Sequence, residues 1–143
     1  MNTRRVREAA VLAVAGATGF WLANLAISLT PIAADYRSGL GISYVPMLVE
    51  ALVGGLIVGF GVGYCLLRFY DRIPTQGPMG KSLMLSGLSL ILLTLLVEVP
   101  SKYGTNIADA SRYFLIALAF NVIRILALGV TIGYVHGRLD DRG

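Results

Sequence analysis

The chain has 143 residues, of which 56% are hydrophobic and only 14% charged, with a formal net charge of +4. A soluble domain carries roughly 25% charged residues, and the mean hydropathy here is +0.73. These values exclude a disordered chain, a disulfide scaffold and a nucleic-acid-binding module, and leave an integral membrane protein.

Residues 9–34 carry no charge. They predict a first span over about 9–30, with Pro31 just beyond it. At 1.5 Å per residue such a run covers roughly 30 Å, the thickness of the hydrocarbon core. Arg4, Arg5 and Arg7 ahead of it also suit a signal peptide, whose apolar stretch is normally about 7–15 residues; the run here is longer and reads as a span. A second span over 44–67 has Ser43 as its cap and Pro46 in its first turn. A third over 82–99 stops at Pro100, and a fourth covers 113–136. Residues 83–97 are apolar nearly all round, unlike the single stripe of a soluble bundle. The connections 31–43, 68–81 and 100–112 are too short for a second domain. The expected fold is therefore all-α, an integral membrane bundle of four transmembrane helices with short loops, forming a single transmembrane domain.

Four spans put both termini on one side. That side holds Arg4, Arg5, Arg7, Arg68, Arg72, Lys81, Arg138 and Arg142, against Arg37, Lys102 and Arg112 on the other. The excess of Lys and Arg makes both termini cytoplasmic and the site a cell (inner) membrane. Tyr44, Tyr103 and Tyr113 then fall at the outer boundary, and Tyr64, Tyr70 and Tyr134 at the inner one, where amphipathic rings settle.

The second span carries Gly55, Gly59 and Gly63, and the fourth carries Gly129, Gly133 and Gly137. Small residues four apart make a groove that lets two backbones approach. Both seams lie in the inner half, so spans two and four are expected to pack together there, within a protomer or between protomers. Ala9, Ala13 and Ala17 offer a third smooth face.

Five polar residues fall inside the apolar spans: Asn24, Glu50, Glu98, Asn121 and Arg124. Arg124 lies near the middle of the fourth span, where an arginine costs about 3 kcal/mol on insertion scales. Its side chain leans toward its own N-terminus, hence outward, with Asn121 on the same face. Glu50 lies roughly 9 Å inside the outer boundary. Glu98 and Asn24 also fall in the outer half. The expectation is a polar cluster in which Arg124 bridges Glu50 or Glu98. Two carboxylates against one guanidinium leave a negative charge, which makes the cluster a candidate proton or cation site. Structural ion pairing and snorkelling of Glu98 to the interface are the plainer alternatives.

Other motifs carry less. Gly80, Lys81 and Ser82 resemble the end of a phosphate-binding loop, but Thr75 stands where its first glycine belongs and no strand precedes it. Lys81 reads as an interfacial anchor and Ser82 as a helix cap. Residues 59–63 are no dinucleotide fingerprint, because they lie within a span. His136 is the single histidine and Cys65 the single cysteine, so no metal, haem or other cofactor is expected. Three functions follow. The first is a small membrane subunit or scaffold working by lateral helix contacts. The second is a homo-oligomeric transporter or channel protomer using the carboxylate–arginine cluster. The third is a lipid-modifying intramembrane enzyme. The partners expected are the lipid bilayer and other membrane subunits or further copies of the chain, and no nucleic acid.

Overall fold

The computed structural model describes residues 3–142, and these are helical almost throughout, with no strand among them. The helices are α1 (Thr3–Ser28), α2 (Pro31–Leu40), α3 (Tyr44–Phe69), α4 (Gly77–Leu93), α5 (Val99–Tyr103) and α6 (Ala110–Asp141). A 3-10 turn, Tyr70–Arg72, ends α3, and a π-helical turn, Thr94–Glu98, joins α4 to α5. Four stretches are long and apolar enough to cross a membrane: Thr3–Ser28, Tyr44–Arg72, Gly77–Tyr103 and Ala110–Arg142. The chain is thus a multi-pass membrane protein.

The helices pack in the spatial order α3, α1, α6, α4, with a lighter contact between α3 and α4. The buried side chains between them are Leu12, Leu66, Ile125, Leu128 and Ile132. One end of the bundle gathers Tyr70, Lys81 and His136 and is here termed the terminal end. The other gathers α2, Lys102 and Tyr113 and is termed the lid end.

Glycine sets the helix spacing, but not between the expected partners. A Cβ on Gly59 would sit 2.9 Å from the Ala13 carbonyl oxygen, and one on Gly55 would sit 3.2 Å from the Ala17 Cα. Gly63 lies equally close to Leu12, so the α3 seam faces α1. On α6, a Cβ on Gly133 would meet the Met79 Cα at 2.9 Å, and Gly129 abuts Ser86. Ser82 Oγ donates to the Gly129 carbonyl oxygen at 2.7 Å. The α6 seam therefore faces α4, and within one protomer two separate pairings stand where a direct pairing of spans two and four was one expectation. The reason is α1, whose buried Ala9, Ala13 and Ala17 occupy the α3 groove. Gly137 touches only Pro78, at the ordinary distance of 3.8 Å. Gly16 and Gly19 supply a third close approach, from α1 to Ile132 and Thr131 of α6.

The helices also outrun their expected bounds. Pro100 does not stop the third span. Proline lacks an N–H and crowds the carbonyl one turn back; the π turn at Thr94–Glu98 accommodates it, and the helix resumes for one more turn through Tyr103. The connection 31–43 is not a plain loop, because it contains α2. Thr30 caps that helix by accepting from the Ala33 N–H at 3.3 Å, Pro31 fills its first turn, and Gly41 closes it at φ 66°. α4 starts early enough to bury Lys81. Its Nζ donates to the carbonyl oxygens of Tyr70 at 2.6 Å and Ile73 at 3.0 Å, so it caps the end of α3.

Substitution tests this packing. Gly59→Ala pushes a methyl group into α1 backbone and is expected to cost about 1–3 kcal/mol. Gly54→Ala, where a Cβ meets nothing within 4 Å, is expected to change stability by less than about 0.5 kcal/mol. Thermal or denaturant unfolding in one detergent compares the two.

Candidate functional site: a buried polar chain beneath a lid helix

Four elements supply the polar residues of the lid end. α1 brings Asn24 and α6 brings Asn121 and Arg124, the two asparagines being buried and Arg124 half-buried. The π turn brings Glu98, and α5 brings Lys102, which is 7% exposed. Arg124 Nη1 donates to Asn24 Oδ1 at 2.8 Å, and its Nη2 donates to Asn121 Oδ1. Asn121 Nδ2 donates onward to Glu98 Oε1 at 3.1 Å. Lys102 Nζ closes the chain on Glu98 Oε2 at 3.0 Å. Residues 121 and 124 share a face because they are three apart on a helix, and Glu98 and Lys102 meet because they are four apart. The guanidinium also lies 5.5 Å from the centre of the Phe20 ring.

α2 covers this chain. Its Tyr36 packs edge-on against Tyr113 and Phe120 at 5.9 and 5.8 Å, with Lys102 Nζ 5.5 Å from the same ring. Gly39 lies so close to the Tyr113 hydroxyl that no Cβ fits between them. Arg37 lies over the Tyr44 ring at 4.9 Å and reaches the Ser28 carbonyl oxygen at 3.4 Å. Between α2 and the bundle is a cavity of about 50 Å³, whose walls include Asn24, Ser28, Tyr36, Arg37, Met47 and Arg124.

Asn24, Asn121, Glu98 and Arg124 thus meet at one level. Glu50 does not join them. It is exposed on α3 and makes no hydrogen bond or ion pair among the described residues. Nor does Arg124 bridge a glutamate directly; it reaches Glu98 through the Asn121 amide. Glu98 does not snorkel outward but is held between Asn121 and Lys102. Replacing Glu50 by Lys102 inverts the charge count. Arg124 and Lys102 now stand against Glu98 alone, and Arg37 adds a further positive charge at the cavity wall. At this cluster the expected surplus of negative charge is a surplus of positive charge.

Lys102, Tyr36 and Arg37 lie in 31–43 and 100–112, the connections expected to be loops, and hydropathy does not mark them as site residues. Signals for both lay in the sequence. Thr30 and Pro31 ahead of Gly41 mark a short helix, and Lys102 follows Glu98 at ion-pair spacing. At the terminal end His136 stacks on Tyr70 at 5.2 Å, with its Nδ1 3.6 Å from Asp140 Oδ2. No group of three His, Cys, Asp or Glu side chains able to hold a metal ion occurs among the described residues. Compared with known proteins, the chain matches no family model, no curated protein and no solved structure.

The Glu98–Lys102 pair is nearly dry, with side-chain exposures of 12% and 8%. Removing one member leaves a buried charge, so Lys102→Met is expected to cost about 3 kcal/mol or more. Adding Glu98→Gln should recover part of that loss. A double-mutant cycle on unfolding free energies reads the coupling, and strictly additive losses would contradict the pairing.

Proposed function

We propose that the protein is a binding or transport protomer of the cell membrane, with both termini cytoplasmic and the Arg124 chain as its working part. The observation that carries this reading is an arginine held inside the bundle, linked to both asparagines and walled against a cavity. Ionisable groups at such depth are expensive and mark ligand or ion pathways. The glycine seams support the same choice, because α1 and α4 already occupy them and they are not free for another protein. The excess of Lys and Arg at the terminal end supports the orientation.

One observation favours the subunit reading. Glu50, Gly54, Ile57 and Gly61 share a face of α3 at helical spacing. A Cβ on Gly54 or Gly61 would meet nothing within 4 Å, and Glu50 has no partner on that face. A helix from another protein, bearing a hydrogen-bond donor, would fit there. The lipid-modifying enzyme has no comparable support, since both Glu98 oxygens are engaged and Glu50 stands apart.

Reconstitution in liposomes on a solid-supported membrane separates the two. A transport protomer gives a current on a solute jump, and Arg124→Gln reduces it at least tenfold while Gly54→Leu leaves it unchanged. A subunit gives no current. It co-purifies from native membrane with a stoichiometric second protein, and Gly54→Leu releases that protein.

A further inference from the structure

Three donors around the cavity beneath α2 are under-committed. The Nε of Arg124 is buried and has no acceptor among the described residues. The Asn24 amide nitrogen spends a proton on the Met47 sulfur at 3.2 Å, and a thioether is a weak acceptor. Arg37 Nη1 reaches the Ser28 carbonyl oxygen only at 3.4 Å, near the limit of a hydrogen bond. All three side chains belong to the same wall. Of the three only Arg124 Nε is buried with no acceptor, and native structures seldom leave a buried donor in this state without a ligand or water to take it.

The charge at the wall has one sign. Arg124 and Arg37 line the cavity, and no carboxylate does. The one buried carboxylate nearby, Glu98, is held by Lys102 and Asn121 away from the cavity. A cation would meet two guanidinium groups, and a neutral ligand would leave both without a counter-charge. A guanidinium presents a planar fork of donors that matches the oxygens of a carboxylate or phosphate. The volume agrees. One water needs roughly 10–15 Å³ of such space, so a cavity of about 50 Å³ holds one small oxyanion group and not a whole sugar or nucleotide.

We infer that the cavity beneath α2 binds a single oxyanion group, a carboxylate or phosphate, clamped between Arg124 of the bundle and Arg37 of the lid helix. This rests on the reading of the Arg124 chain as the working part, and names its ligand chemistry. The oxyanion accepts from Arg124 Nε, from the Asn24 amide in place of Met47, and from Arg37. It comes either from a free solute or from the headgroup of an anionic lipid.

The test uses the full chain in nanodiscs and follows the thermal unfolding midpoint at matched ionic strength. In phosphatidylcholine discs, sodium acetate and inorganic phosphate are titrated against sodium chloride. In a second arm, phosphatidylglycerol replaces part of the phosphatidylcholine. A saturable rise of roughly 4 °C is expected in at least one arm. A rise with acetate or phosphate identifies a free solute; a rise with phosphatidylglycerol alone identifies a lipid headgroup. Arg37→Gln should weaken the response at least tenfold in concentration, as should Arg124→Gln if that variant folds. Arg112→Gln, an exposed change outside the cavity, should leave it intact. No rise in any arm, or a rise that survives Arg37→Gln, overturns the inference. Binding without a transport current would leave the inference standing and remove the transport reading. An Arg124-dependent current without oxyanion binding would do the reverse.

Discussion

An arginine inside a membrane bundle must be kept from lipid and given acceptors, and the whole lid end of this protein is arranged around that requirement. Left to hydrocarbon, Arg124 would cost about 3 kcal/mol on insertion scales. Two amide oxygens, one from α1 and one from its own helix, take its terminal nitrogens. For Asn24 to reach it, α1 and α6 must lie almost backbone to backbone. Gly16 and Gly19 permit that, since a Cβ on either would run into Ile132 or Thr131. The glycines in the body of the bundle and the polar chain at its end are therefore parts of one arrangement. A bulkier residue at 16 or 19 would separate the helices and withdraw the acceptor from the guanidinium.

The second dependence runs through Pro100. A wide turn adds one residue to the helix and rotates everything after it by about 100° relative to an uninterrupted α-helix. Glu98 closes that turn and Lys102 follows on the next one. The carboxylate meets Asn121 of α6, and the lysine turns back onto the carboxylate while lying over the ring of Tyr36. The same lysine thus touches both the ion pair and the lid. An imino acid that reads in sequence as a stop is, in the folded chain, the reason that the buried pair and α2 share a residue.

Hydropathy alone made the four spans legible, because their length and apolar composition suit a membrane crossing. The small residues of α3 and α6 were equally visible. Their partners were not, because a glycine groove says only that something comes close. Ala13 and Ala17 won the α3 groove by being small themselves; on α6 Ser82 adds a hydrogen bond to the Gly129 carbonyl while Ser86 packs against the same glycine. The level of Asn24, Asn121, Glu98 and Arg124 followed from counting helical rises. The side of α3 that Glu50 occupies did not, because depth is linear in residue number while azimuth depends on which helix is the neighbour. Lys102 and Arg37 were hidden differently: each lay in a segment whose helicity depends on capping and a π turn, not on hydrophobic periodicity.

The choice of amides around Arg124 bears on what the site can do. An arginine serving only to fix helix register would be best held by a carboxylate in direct contact, which cancels its charge as well as taking its protons. Asparagine takes the protons and leaves the charge. Glu98, the one carboxylate of this polar cluster, stands an amide away and is shared with Lys102. Positive potential therefore persists at the cavity wall, where Arg37 from the lid adds to it and a soft sulfur takes the remaining amide proton. Aspartate at 24 would have set a carboxylate directly against the guanidinium and cancelled its charge. With asparagine at both positions, the cluster is completed by an anion that the chain itself does not provide.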